Sequence, residues 1–274
     1  MHYLLDWFRL PTSFDMTLWL SQILQGMAVK HAVEHWRRTM PRGMGTLYWQ
    51  LNDCWPVASW SSLDYSGRWK ALHYMARHFY APLLVSAVPN LEDGSLSVHV
   101  TSDKREDVTA EVRWEVTTIQ GARVDGGAQT ALFPANNNSS LMTLDLKAAV
   151  NEYGARNLLI WLELWADETL VSENLTLFAR PKHLLLAEPE FDFAVQDEGN
   201  GRYRINLSPS KPALWTWLES TDGAFRLSDN FFHLRPGHTR TVILSAQTPG
   251  RELTDIKNGI TIRSLVDTYQ HCPE

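Results

Sequence analysis

The hydrophobic period of this chain changes near residue 82, and that change restricts the folds open to it. Before the change, Leu18, Ile23, Met27, Val33 and Trp36 recur near the helical spacing of about 3.6 residues, and Pro41 and Gly43 close the run. A helix over 15–38 follows. The aromatic and β-branched run TLYWQL at 46–51 reads as a strand buried on both faces, and GRWKALHYMARHFYAP as a second helix over 69–79, closed by Pro82. Helix, strand, loop and helix in that order make one α/β repeat. Beyond it the period is two: Val108, Ala110, Val112, Trp114 and Val116 alternate with Thr109, Glu111, Arg113, Glu115 and Thr117, the pattern of a half-buried antiparallel strand. SLSVHV, QTALF, LMTLDL, NLLIWLELW and ETLVSENLTLF continue it, separated by Gly, Asn and Asp turns, with NNNSS at Asn136 as one such turn. PKHLLLAEP forms a proline-bounded joint, after which FDFAVQ, RYRINL, LWTWLE, AFRL, RTVILSA and GITIRSL repeat the scheme. The expected division is 1–82, 83–180 and 181–274, a helical unit and two β-sandwiches.

Charge separates the same segments. Residues 1–80 carry eight basic and five acidic groups, 81–180 seven and fourteen, and 181–274 ten and twelve, for a net charge of −6. No basic field is available for nucleic acid or anionic lipid, so neither is expected as a partner. The longest apolar runs, such as LLIWL at 158–162, fall far short of the roughly 20 residues a membrane helix needs. Cys54 and Cys272 are too few and too distant for a disulfide framework or a metal cluster and read as free thiols. No cofactor is implied. HYLLDWFRLP at the start reads as the middle of a folded element, without a targeting leader, so the chain is expected to begin inside a longer protein and its compartment is not legible.

Seven of the twelve tryptophans lie in the first eighty residues, and GTLYWQLNDCWPVASW holds Trp49, Trp55 and Trp60 beside Asn52 and Asp53. Ligands of parallel α/β sheets bind at the C-terminal edge of the strands, where this string is expected to sit. Indole faces accept the C–H surface of a sugar ring, while amides and carboxylates accept its hydroxyls. The opposing reading has these tryptophans filling space between strand and helices.

The string MGTLYWQLNDCWPVASWSSLDYSGRWKALHYMARHFYAPLLVS resembles the last strand, loop and helix of the catalytic barrel in the β-mannosidases of glycoside hydrolase family 2. HYLLDWFRLP, VKHAVEHWRR, PKHLLL and SDNFFHLRPG are similar too, so the likeness covers essentially the whole chain. It implies a mainly β fold, two immunoglobulin-like β-sandwiches preceded by a helix-strand-helix remnant of a (β/α)8 barrel. The activity it implies is retaining hydrolysis of terminal, non-reducing β-D-mannose, with a mannoside or oligosaccharide as the partner of the full-length enzyme. On the family pattern Trp49 lines the sugar subsite; Asn52, Asp53 and Trp55 are substrate-binding candidates through membership of the motif alone.

Retention needs two carboxyl groups about 5–5.5 Å apart. The resemblance puts both catalytic glutamates upstream of this segment, and residues 1–80 offer only Glu34, Asp6, Asp15, Asp53 and Asp64. No catalytic residue is therefore assigned, and this chain alone is expected to be inactive. His31, Glu34 and His35 match the HxxEH pattern of inverted zinc proteases. No third ligand accompanies them, and Lys30, His31, Glu34, Arg37 and Arg38 read more simply as a solvated helix face. His73 and His78 show no partner in sequence. Asn137, Asn138 and Asn174 open glycosylation sequons, and Trp161, Trp165, Trp215 and Trp217 alternate as sandwich core. Phe231 and Phe232 anchor a turn-rich connection ending at Pro236-Gly237. Two rival readings are a non-catalytic carbohydrate-binding module and a structural unit whose exposed half-barrel face drives formation of a homo-oligomer.

Overall fold

A computed structural model of the chain describes residues 1–220, 225–246 and 252–269. Cys272 lies outside them. The helical unit comprises α1 (His2–Trp7), α2 (Phe14–Arg38) and α3 (Ala71–Phe79). Ser13 caps α2, its Oγ accepting the amide of Met16 at 3.2 Å, and Arg37 and Arg38 sit in the last turn, where the helix dipole favours cations. α3 starts two residues later than its apolar pattern suggests, because Lys70 is its N-cap and Trp69 remains in the loop.

The first sandwich pairs two antiparallel sheets. One runs β1–β2–β5 (Leu83–Asn90, Ser95–Ser102, Asn137–Asp145), the other β4–β3–β6–β7 (Arg123–Phe133, Val108–Thr118, Leu158–Ala166, Thr169–Leu177). Val85, Val98 and Val100 meet Val112, Ile160, Leu162 and Leu164 between them. The NNNSS run is mostly strand: β5 begins at Asn137, and only Asn136, at φ 48, makes the turn. A short α4 (Lys147–Tyr153) links β5 to β6.

The second sandwich has β11–β13–β9–β8 (Phe225–Leu227, Arg240–Ala246, Arg202–Pro209, Phe191–Gly199) facing β12–β10–β14 (Phe232–Leu234, Ala213–Ser220, Ile260–Arg263), with α5 (Leu253–Asn258) before β14. Trp161, Trp215 and Trp217 are buried, while Trp165 is half-buried beneath the Arg113 guanidinium. Phe231 and Phe232 are both buried, and Phe232 opens a strand.

The helices do not stand apart from the sandwiches. Leu4, Phe8, Leu20 and Ile23 share one core with Ile205, Trp217 and Val242 of the second sandwich, and Trp19 stacks on Trp217 at 3.6 Å between centroids. One sequence expectation fails at these junctions. The face of α2 bearing Glu34 and Arg37 is buried, not solvated: Glu34 meets Lys30 at 3.2 Å and Asn174 at 2.9 Å, and Arg37 pairs with Asp103 at 2.9 Å. Helical periodicity marks apolar faces and is blind to a polar face covered by a neighbour that supplies counter-charges. His78, partnerless in sequence, lies 2.9 Å from Asp229, a residue 151 positions away.

Candidate functional site

The 46–51 run is not a strand. Leu47 is 98% exposed and Trp49 76%. A strand buried on both faces needs a neighbour on each side. Here the ladder-like bonds come from the returning arm of its own loop: Ser62 N donates to Gln50 O at 3.0 Å and Leu63 N to Leu51 O at 2.8 Å. These bonds close residues 50–63 into a compact loop. Gln25 of α2 holds its rim, donating from Nε2 to Trp60 O at 2.7 Å. The Tyr48 hydroxyl meets Ser62 Oγ at 2.9 Å, which in turn lies 3.1 Å from His73 Nδ1 on α3. Burial, reinforced by the charges of Arg226 and Arg77, lowers the pKa of His73 and favours its neutral form.

The loop has a polar interior and an aromatic exterior. Trp49, Trp55 and Trp60 are exposed, as is Asn52, whose side-chain amide donates to Asp53 O at 3.1 Å. Asp53 turns the other way and is buried. Hydroxyls of Ser59 and Ser61 donate to its two carboxylate oxygens, and Lys70 Nζ stands 3.2 Å from Oδ2. The Ser59 hydroxyl first, then Ser61 and Lys70, outweigh burial and hold the carboxyl below the usual carboxylate range. Of the four sequence candidates, Trp49, Asn52 and Trp55 thus lie on the outer surface of one loop, and Asp53 braces it from within. Ser59, Ser61 and Lys70 complete the arrangement. Sequence offers one signal for them, a hydroxyl-rich run and a lysine close to a lone aspartate.

Asp64, the other carboxylate of the region, binds Arg68 through Nε at 2.5 Å and through the backbone amide at 2.9 Å. A cleft of about 690 Å³ opens between residues 64–70 and the second sandwich, lined by Gln22, Asp64, Lys70, Glu219 and Arg263 among others, but not by Trp49 or Trp55. Its carboxylates are engaged, Glu219 by Arg263 and by Trp19 Nε1 at 2.7 Å. In the HxxEH segment His31 and His35 are exposed while Glu34 is drawn into the buried ion pairs, so the three do not converge. Among the described residues no three His, Cys, Asp or Glu side chains gather in a metal-binding group.

The fold defines a class, a helical unit with an aromatic loop packed against two immunoglobulin-like β-sandwiches. Residues 94–183 match the mannosidase Ig/CBM-like domain family and residues 186–268 the mannosidase Ig-fold domain family. The chain is 31% identical to β-mannosidase A of Neosartorya fischeri across 90% of its own length and 28% of that protein, and 30% identical to β-mannosidase of Bos taurus across 96% and 32%. It superposes on the crystal structure of the β-D-mannosidase from Dictyoglomus thermophilum with a TM-score of 0.84 and 25% identity, covering 96% of this chain and 31% of that one. The exo-chitosanase of Amycolatopsis orientalis shares the fold at a TM-score of 0.68 and 17% identity. The chain carries both mannosidase immunoglobulin-like domains and is similar over at least nine tenths of its length to β-mannosidases, and it spans about three tenths of the length of these relatives.

Proposed function

We propose that this chain forms part of a retaining β-mannosidase that removes terminal, non-reducing β-D-mannose, and that its 46–63 segment supplies one wall of the sugar subsite. The observation carrying this reading is that Trp49, Trp55 and Trp60 turn their indoles outward from the same short segment while the side chains of Asp53, Ser59 and Ser61 turn in. Outward-facing indoles are suited to the apolar face of a pyranose. Trp55 and Asn52 share the loop's outer surface and extend the wall, and Asp53 serves it indirectly. The division into 1–82, 83–180 and 181–274 follows from this reading, with the sandwiches buttressing the barrel segment.

Hydrolysis itself is assigned to carboxylates outside this chain. Asp53 and Asp64 are each tied to a cation and to hydroxyl or backbone donors, which leaves no free acid and nucleophile pair on the loop. In the full-length enzyme, Trp49→Ala is expected to lower kcat/KM on an aryl β-mannoside by about tenfold or more, the scale of a lost contact of about 1.4 kcal/mol. An unchanged value would remove Trp49 from the subsite. The 274-residue chain assayed alone on the same substrate is expected to release no aryl leaving group.

A further inference from the structure

Within this chain the 50–63 loop buries few apolar side chains, and its buried interior is polar, with Asp53, Ser61 and Ser62 at its centre. The cation completing that interior comes from outside the loop. We propose that Lys70 is a positioning residue for the sugar subsite, fixing the loop that presents Trp49 and Trp55 through Asp53 without touching the sugar. This inference rests on the assignment of Trp49 to that subsite.

Three observations carry it. The Lys70 ammonium has three donors, and three acceptors meet it: Asp53 Oδ2 at 3.2 Å, Ser61 Oγ at 2.7 Å and Ser59 O at 3.5 Å. Its side chain is only 18% exposed and that of Asp53 3%, so the pair is shielded from water and loss of either charge leaves the other uncompensated. Lys70 is also the N-cap of α3, and the next amide, Ala71 N, donates to Gln22 Oε1 of α2 at 3.2 Å. The brace is therefore built on two packed helices, whose rigidity passes to the loop.

The test compares Lys70→Met, Asp53→Asn/Lys70→Met and Trp49→Ala in the full-length enzyme and in the 274-residue chain. Lys70→Met is expected to raise KM for an aryl β-mannoside at least fivefold with kcat within about twofold, and to weaken the near-ultraviolet indole dichroism of the chain while its far-ultraviolet spectrum is kept. The double variant, with neither charge, is expected to recover most of both signals. Failure of that rescue would mean that Lys70 touches substrate directly, and unchanged KM and dichroism would mean that the loop stands without it; either result overturns the inference. If Lys70→Met does not fold, Ser61→Ala removes one acceptor without stranding a charge and should move the same two readouts in the same direction. Failure of the subsite reading looks different: Trp49→Ala leaves KM unchanged while Lys70→Met still alters the dichroism.

Discussion

Glu34 occupies a helix position that pattern alone assigns to water, yet it is buried between Lys30, Arg38 and Asn174. Truncating one member of a buried ionic group costs about 3–5 kcal/mol, because the remaining charges lose their counter-ion. Lys30 retains 30% exposure, which moderates the figure. Glu34→Ala is therefore expected to cost about 2–3 kcal/mol and to lower the melting temperature by roughly 5–10 °C in thermal circular dichroism. A shift below about 2 °C would return this face to the category of weak surface pairs. The same cluster decides the fate of one sequon. Asn174 Nδ2 donates to Glu34 Oε1 and to Val85 O at 2.9 and 3.0 Å, and its Oδ1 accepts from Lys30 at 2.8 Å. A glycan on that nitrogen would displace the junction between α2 and the first sandwich.

At the scale of elements, α2 and α3 approach so closely that a β-carbon on Gly26 would stand 2.3 Å from Met75 Sδ. Gly26→Leu is expected to cost about 1–3 kcal/mol through overpacking, and Met75→Ala in the same chain should offset part of that loss. A double-mutant cycle in urea checks the coupling; strictly additive effects would show that the helices separate freely. Legibility in the sequence varied with the source of each element's order. α2 is readable to within one residue because its apolar spacing is local and Pro41 and Gly43 follow just beyond its end, and the long sandwich strands because alternation is local. TLYWQL forms no strand in this chain, because β propensity describes fitness for a sheet and no sheet flanks it among the described residues. The loop's aromatic face is visible in composition, whereas its brace leaves only a hydroxyl-rich run and a nearby lysine as a signal, since Ser59, Ser61 and Lys70 meet Asp53 only after the chain has turned back.

Across the whole molecule, the three parts meet at a charged junction whose order should depend on pH. His78 of α3 faces Asp229, Arg240 of β13 binds Asp229 and also Glu173 of β7 at 2.7 Å, and Arg235 joins the sandwiches through Glu115 and Glu163 at 3.0 and 2.7 Å. Burial opposes ionisation of Asp229, but His78 and Arg240 overcome it and hold the carboxyl at about 2, so its contribution is complete above about pH 4 and fades toward pH 2. Burial would lower the pKa of His78, yet the hydrogen bond and charge of Asp229 raise it, so its contribution is present below about pH 6.5 and is lost as pH climbs through the raised value. His233 behaves oppositely. Burial, with Lys30, His78 and Arg240 adding to it, brings it to about 3, and its Nδ1 accepts the Trp215 amide at 3.2 Å, which requires that nitrogen to be unprotonated. Stability from His233 is therefore full above about pH 6.5 and declines by up to roughly 1.4 kcal/mol per unit as pH falls toward 3. The two histidines bracket a stability maximum near pH 6–7. His78→Gln should lower the melting temperature most on the acid side and flatten the alkaline limb, whereas His233→Gln, which can still accept from Trp215, should flatten the acid limb. Melting curves from pH 4 to 9 that shift in parallel for both variants would show that neither histidine titrates with folding.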